Sequence, residues 1–310
     1  MRVFITLFII LLMAACSKEP MTYDFDLQGH RGARGLLPEN TIPSFKKAVD
    51  YRVDTVEFDV VVTADRRILV SHEPWFNHKI STAPDGLPVR RRQAQGHNIF
   101  QMTYEETRRY DVGRRGNPDF PMQEPIPAIK PLMIDAILAV EQYVADQGLD
   151  PVRYSIETKS DTSWYNSMVP EPEEFAQLLY DELTSEPFEG LDLLDRVIVQ
   201  SFDPATLIAL RELDPDIAQA MLISERRDRG SLFDRYLDTL GYTPEIWSPR
   251  YQIVSREMVE EAHRRGMKVI PWTVNRSKDM RSLLEMGVDG LITDYPNRAQ
   301  QFRPGIRIPG

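Results

Sequence analysis

Short β-branched apolar runs that alternate with amphipathic stretches constrain this chain more than any other feature. Candidate strands fall at 25–30, 55–62, 67–71, 153–158, 196–201, 218–223, 245–248, 268–273 and 289–293. Helix-like segments at 41–51, 131–147, 173–185, 204–213, 255–265 and 277–286 separate most of them. Such alternation builds a parallel sheet covered by helices. Nine strands are one too many for a (β/α)8 barrel, and one can be removed on physical grounds. Only Thr63 to Arg66 separate 55–62 from 67–71. A parallel crossover needs about a dozen residues or more, so these two segments must pair as an antiparallel hairpin. A turn centred between Ala64 and Asp65 sets His72 opposite Glu57, at the barrel mouth. The predicted fold is α/β: a (β/α)8 TIM barrel with an antiparallel hairpin at its mouth.

Residues 74–128 have no strand–helix period and are too long for an ordinary connection, which predicts a functional insertion after the second barrel strand. The first fifteen residues are not fold. Arg2 precedes an apolar stretch, Val3 to Met13, that is too short to span a bilayer. Ala14-Ala15-Cys16 resembles a bacterial lipoprotein cleavage site. The expected division is a signal peptide 1–15, a tether 16–24 beginning at lipidated Cys16, and a barrel 25–310. Cys16 is the single cysteine, so the fold must hold together through its core without disulfides. Ser17 is not the Asp that retains many lipoproteins at the inner membrane. The expected location is therefore the bacterial envelope, at the outer membrane rather than the inner. The formal charge of −10 lacks the basic excess that nucleic-acid binding needs.

Alternation along Thr55-Val56-Glu57-Phe58-Asp59-Val60 places Glu57 and Asp59 on one face of a strand whose other face is apolar. Paired buried acids repel unless a cation sits between them, and a hard divalent ion with oxygen ligands is the simplest such cation. His30 and His72 are acid–base candidates, because histidine titrates near neutral pH. Arg31 offers a fork that suits phosphate. A metal, an arginine and two histidines describe phosphoryl chemistry better than sugar binding. Gly32 and Gly35 permit a tight turn, and Glu39 and Asn40 are expected to pin that loop. His78, His97 and His263 are expected to have no catalytic part. Arg90-Arg91-Arg92 and Arg114-Arg115 form either a solvated face or a contact with phospholipid head groups.

His30-Arg31-Gly32, Pro38-Glu39-Asn40-Thr41, Glu57-Phe58-Asp59 and His72 together resemble the signature of the glycerophosphodiester phosphodiesterases. Glu157-Thr158-Lys159 resembles that family's E-x-K strand. Gln200-Ser201-Phe202-Asp203, Trp272-Thr273-Val274-Asn275 and Gly290 to Pro296 extend the resemblance, which runs from about Leu27 to Asn297. It is absent from 74–128, although the family carries an insertion there. Glu73 stands where the family usually has Asp. The resemblance implies hydrolysis of a glycerophosphodiester to glycerol-3-phosphate and an alcohol. It implies one Ca2+ or Mg2+ on Glu57, Asp59 and Glu157, and acid–base catalysis by His30 and His72. The attacking oxygen can be the substrate's own 2-hydroxyl. Arg31 and Lys159 would hold the phosphate, and Trp272 would lie against the alcohol. Two alternatives stand beside this reading. One is lysophospholipase D or phospholipase C-like action on lipid phosphodiesters. The other is a non-catalytic phosphodiester-binding lipoprotein, which would need neither histidine.

Overall fold

The computed structural model describes residues 22–224 and 231–303; the leader 1–15, Cys16 and most of the tether lie outside the described residues. The strands are β1 (Asp26–Gly29), β2 (Thr55–Val62), β3 (Ile68–Val70), β4 (Arg153–Thr158), β5 (Val197–Ser201), β6 (Ala218–Ile223), β7 (Ile246–Pro249), β8 (Lys268–Val269) and β9 (Gly290–Thr293). Among the described residues, eight of them run parallel in the order β8-β7-β6-β5-β4-β2-β1-β9. β3 stands outside that order and pairs antiparallel with β2. Backbone bonds from Asp289 N to Val269 O (2.9 Å) and from Ile292 N to Pro271 O (3.0 Å) span the seam between the outermost staves. The result is a nearly closed (β/α)8 TIM barrel.

The hairpin forms as expected, but its register is shifted by one residue. Val60 faces Val70 and Val62 faces Ile68, so the ladder continued would set Ser71 beside Asp59 and His72 beside Phe58, not Glu57. Thr63 N bonds to Arg67 O at 3.0 Å around a three-residue turn, with Arg66 in the left-handed region at φ 57°. That turn is one residue shorter than the four-residue link Thr63 to Arg66 read from the sequence. β3 ends at Val70, and His72 leaves the ladder before it could face any residue of β2.

The helices are α1 (Ile42–Asp50), α2 (Tyr104–Thr107), α3 (Met133–Asp146), α4 (Pro172–Leu183), α5 (Pro204–Leu213), α6 (Ser231–Leu240), α7 (Arg256–Arg264), α8 (Ser277–Met286) and α9 (Pro296–Ala299). α6 was not expected from the sequence. Yet Leu232, Phe233, Tyr236, Leu237 and Leu240 repeat at helical spacing. Phe233 packs on buried Trp247 of β7 with ring centroids 4.4 Å apart. Local caps set the starts of others. Thr41 accepts from Ser44 N before α1, and Asp203 accepts from Ala205 N before α5.

Strand parity separates two environments. Val56, Phe58, Val60, Ile156 and Val199 point outward into the main core beneath the helices. Inside the barrel, Ile198, Ala220, Ile246, Ile270 and Ile292 form an apolar cluster on one side. Glu57, Asp59, Ser155, Glu157 and Gln200 are buried polar residues from β2, β4 and β5. The insertion has its own core of Phe76, Ile80, Val89, Ile99, Tyr110 and Val112. Phe76 and Tyr110 stack at 3.7 Å, and a Thr103–Glu106 capping box starts α2.

Candidate active site

The chain leaves β1 at His30 and turns at once. Arg31 (φ 51°) and Gly32 (φ 82°) both adopt left-handed backbone, and Gly32 N bonds back to Gly29 O and Glu57 O. A Cβ at Gly32 would lie 2.6 Å from the Ser44 backbone, so this turn tolerates no side chain there. The turn brings the Arg31 guanidinium back over the carboxylates: Nη1 donates to Glu39 Oε1 at 2.6 Å, and Nε lies 3.1 Å from Asp59 Oδ2. Asn40 Nδ2 donates to the same Asp59 oxygen at 2.8 Å. The expectation that Glu39 and Asn40 pin rather than react matches their contacts.

Glu57, Asp59 and Glu157 each offer an oxygen within 4.8 Å of the others, and all three are buried. Adjacent parallel strands do this, because β2 and β4 pair Asp59 with Glu157. Glu57 is held by Gln200 Nε2 (2.9 Å) and Arg31 N (2.7 Å). Glu157 accepts from Lys159 Nζ, two residues on and on the same face. Burial, with Asp59 and Glu157 nearby, pushes the Glu57 carboxyl well above the ordinary range. Burial likewise pushes Glu157 to about 7, against the pull of Lys159. Asp59 goes the other way: Arg31, His72 and Lys159 outweigh its burial. Asp59 Oδ1 is buried without a hydrogen-bond partner. Three convergent carboxylates, one with an orphaned oxygen, fit a hard divalent cation.

His30 Nδ1 lies 2.6 Å from Asp294 Oδ1, just past the end of β9. Asp294 also accepts from Arg34 Nε (2.7 Å) and Asn275 Nδ2 (2.6 Å). Arg34 and His30 outweigh burial and hold the Asp294 carboxyl far below its usual range. An ionised Asp294 requires the hydrogen on Nδ1, which leaves His30 Nε2 as the acceptor. Burial, with Arg34 beside it, lowers the His30 pKa to about 4. His72 is built alike but sits nearer the rim, 30% exposed, with Nδ1 3.0 Å from Glu73 Oε1. Glu73 is lowered to about 2 because His72 outweighs burial. Burial and Arg31 also lower His72.

A cavity of about 220 Å3 at the C-terminal mouth of the barrel is lined by both histidines and by Glu57 and Glu157, with Asp59, Asp294 and Glu73 not among its lining residues. His30, Arg31, Arg34, Glu57, His72, Glu157, Lys159 and Gln200 line its polar side. Phe202, Leu222, Trp272 and Ile292 line its apolar side. Trp272 spends its indole N–H on Ser248 O at 3.0 Å, and its ring meets Phe202 edge-on at 5.3 Å. His78, His97 and His263 are not among the lining residues; His97 bonds Tyr110, and His263 bonds Asp289.

Residues 30–298 match the model of the Glycerophosphoryl diester phosphodiesterase family. The chain belongs to that family. A glycerophosphodiester phosphodiesterase of Bacillus altitudinis is 28% identical over 279 residues, covering 90% of this chain and 98% of the relative. A crystal structure from Silicibacter pomeroyi, assigned as a glycerophosphoryl diester phosphodiesterase, superposes with a TM-score of 0.75 at 28% identity. It covers 90% of this chain and 93% of its own. A phosphodiesterase of Oleispira antarctica, solved with the product sn-glycerol-3-phosphate, superposes with a TM-score of 0.69 at 21% identity, covering 89% and 96%.

For a glycerophosphoryl diester phosphodiesterase, the cavity holds more than sequence reasoning assigned. Arg34 was missed, and Asp294, Asn275 and Gln200 were noted only as parts of matching segments. Parity was the available signal for two of them: Gln200 and Asp294 lie two residues beyond Ile198 and Ile292, which point into the barrel. Arg34 had no such signal, because it lies on an irregular loop.

Proposed function

We propose that this enzyme hydrolyses glycerophosphodiesters to sn-glycerol-3-phosphate and an alcohol, with His30 as general base and His72 as general acid. The observation that carries this reading is the pair of carboxylate-held imidazoles on one cavity. Asp294 and Glu73 each fix an Nδ1 and leave an Nε2 available for proton transfer. His30 is buried and strongly biased to the neutral form, as a base must be. His72 is more exposed, and Glu73 at its Nδ1 opposes the burial and the Arg31 charge that lower it, so the acid's part is assigned to it from its place at the rim. His30 takes the proton from the attacking oxygen, that of water or of the glycerol 2-hydroxyl, as it bonds to phosphorus; attack by the 2-hydroxyl gives a cyclic phosphate that water must then open to sn-glycerol-3-phosphate. His72 gives a proton to the departing alkoxide as its bond to phosphorus breaks.

Glu57, Asp59 and Glu157 would hold a divalent ion, Ca2+ or Mg2+, which when bound supplies charge neutralisation at the phosphoryl oxygens. Lys159 stays beside Glu157 and helps hold the phosphate as a point charge. Arg31 is occupied by Glu39 and Asp59, so it orders the carboxylates as well as facing the cavity. Trp272 and Phe202 form an apolar wall suited to the glycerol or alcohol carbons. The product found with the Oleispira enzyme supports this substrate class. The leader and Cys16 support delivery to the bacterial envelope and a lipid anchor at the outer membrane.

The test is single-turnover hydrolysis of glycerophosphocholine by the wild type, His30→Ala and His72→Ala. Each variant should lose about 10²–10⁴-fold in the chemical step while remaining folded. Near wild-type turnover in both would refute the acid–base pair.

A further inference from the structure

The cations that line the cavity differ in what remains free on them. Arg31 gives Nη1 to Glu39 and sets Nε 3.1 Å from Asp59 without a hydrogen bond, and Lys159 is engaged by Glu157, with Asp59 3.7 Å away. Arg34 commits only Nε, to Asp294 at 2.7 Å. Its next carboxylate oxygen, on Glu39, is 3.9 Å from Nη1, outside hydrogen-bond distance. The guanidinium is nonetheless fixed, because it lies 4.6 Å over the Phe120 ring of the insertion. Gln123, also of the insertion, donates to Arg34 O at 2.7 Å. The side chain is only 15% exposed. A largely buried, stacked fork whose terminal nitrogens make no hydrogen bond among the described residues is prepared for a planar or tetrahedral oxyanion.

Granted the phosphodiesterase reading, we propose that Arg34 binds the phosphoryl oxygens of substrate and product, and that the insertion sets its position through Phe120. Arg31, the sequence candidate for that task, would share it while ordering Asp59 and Glu39. The insertion then tunes substrate affinity without supplying a reacting group.

The test is calorimetric titration of the metal-loaded enzyme with inorganic phosphate and with sn-glycerol-3-phosphate, alongside KM and kcat for glycerophosphocholine. A charge-assisted contact predicts that Arg34→Gln weakens both ligands by about 10- to 100-fold and raises KM similarly. Arg34→Lys should recover part of that affinity, because it restores the charge without the fork. Phe120→Leu should weaken binding less than Arg34→Gln, and in the same direction. A merely structural Arg34 would lower the melting temperature and leave the affinity of the folded fraction unchanged, which would overturn the proposal. If Arg34→Gln does not fold, Arg34→Lys decides: wild-type affinity for both ligands refutes a bidentate contact, and a severalfold loss supports it. Wild-type protein that turns over no diester and binds neither ligand would overturn the phosphodiesterase reading as well. Turnover with unchanged binding in Arg34→Gln would overturn the Arg34 assignment alone.

Discussion

His30 and His72 are gripped alike at Nδ1, and the proposed mechanism gives them opposite tasks. The acid matters least when the leaving group needs no proton. On a p-nitrophenyl diester, His72→Ala should regain much of its lost rate, and His30→Ala should not; rescue of His30→Ala instead would exchange the two roles. In the proposed mechanism Asp294 would act through His30 and, by holding Arg34 Nε, on the phosphate contact as well. Asn at 294 can turn an N–H toward Nδ1, which forces the hydrogen onto Nε2 and removes the base. Asp294→Asn should therefore lose about 10²-fold or more in kcat, with a smaller change in KM. Steady-state kinetics beside a thermal melt separate this from simple unfolding. The histidines, the acid pair and Lys159 were legible as residues because motif spacing and strand parity mark them. Arg34 was not, since its role depends on Phe120, 86 positions away in the sequence.

Strands β2 and β4 bring three acids together at a cost that only a cation or protons can offset. Glu57 is raised, and Glu157 is raised to about 7, so the metal-free cluster retains protons near neutral pH. Binding a divalent ion requires the ionised forms and must release those protons. Affinity for Ca2+ or Mg2+ should therefore tighten as pH rises from about 6 to 8, by up to about tenfold per unit for each proton released. Calorimetry in two buffers of different ionisation enthalpy measures the release; a pH-independent affinity would mean that the acids are already ionised. The loop after β1 offers a second test. A Cβ at Gly35 would sit 2.3 Å from the Tyr295 ring, next to Asp294. Gly35→Ala should cost about 1–3 kcal/mol by overpacking, read from denaturant unfolding, and should lower activity as Asp294 shifts. Eight staves and one antiparallel hairpin were legible because crossover length is a hard constraint. The hairpin register was not: Arg66 adopts left-handed backbone that an arginine does not advertise, and the turn shortens by one residue. α6 was missed although its apolar positions repeat at helical spacing.

At the scale of the whole molecule, the barrel carries the candidate reacting groups and the insertion closes one side of their mouth. Asn117 donates to Glu39 at 3.3 Å, and Phe120 packs against both Arg34 and Tyr295. The sequence marked this stretch only by its lack of period; its fold depends on a separate small core whose members are dispersed from Val61 to Leu132. If Cys16 carries the anchor, Cys16→Ser should move the protein from the membrane fraction to the soluble fraction with its specific activity unchanged. Membrane retention of that variant would remove the anchor from the account. The most direct test of the central claim is release of sn-glycerol-3-phosphate from glycerophosphocholine by the chain lacking residues 1–16, before and after metal removal. Chelation should abolish release, and added Ca2+ or Mg2+ should restore it to the wild type but not to a Glu57→Gln, Asp59→Asn double variant. Full turnover by metal-stripped enzyme would contradict the assignment of Glu57, Asp59 and Glu157 and, with it, the mechanism built around them.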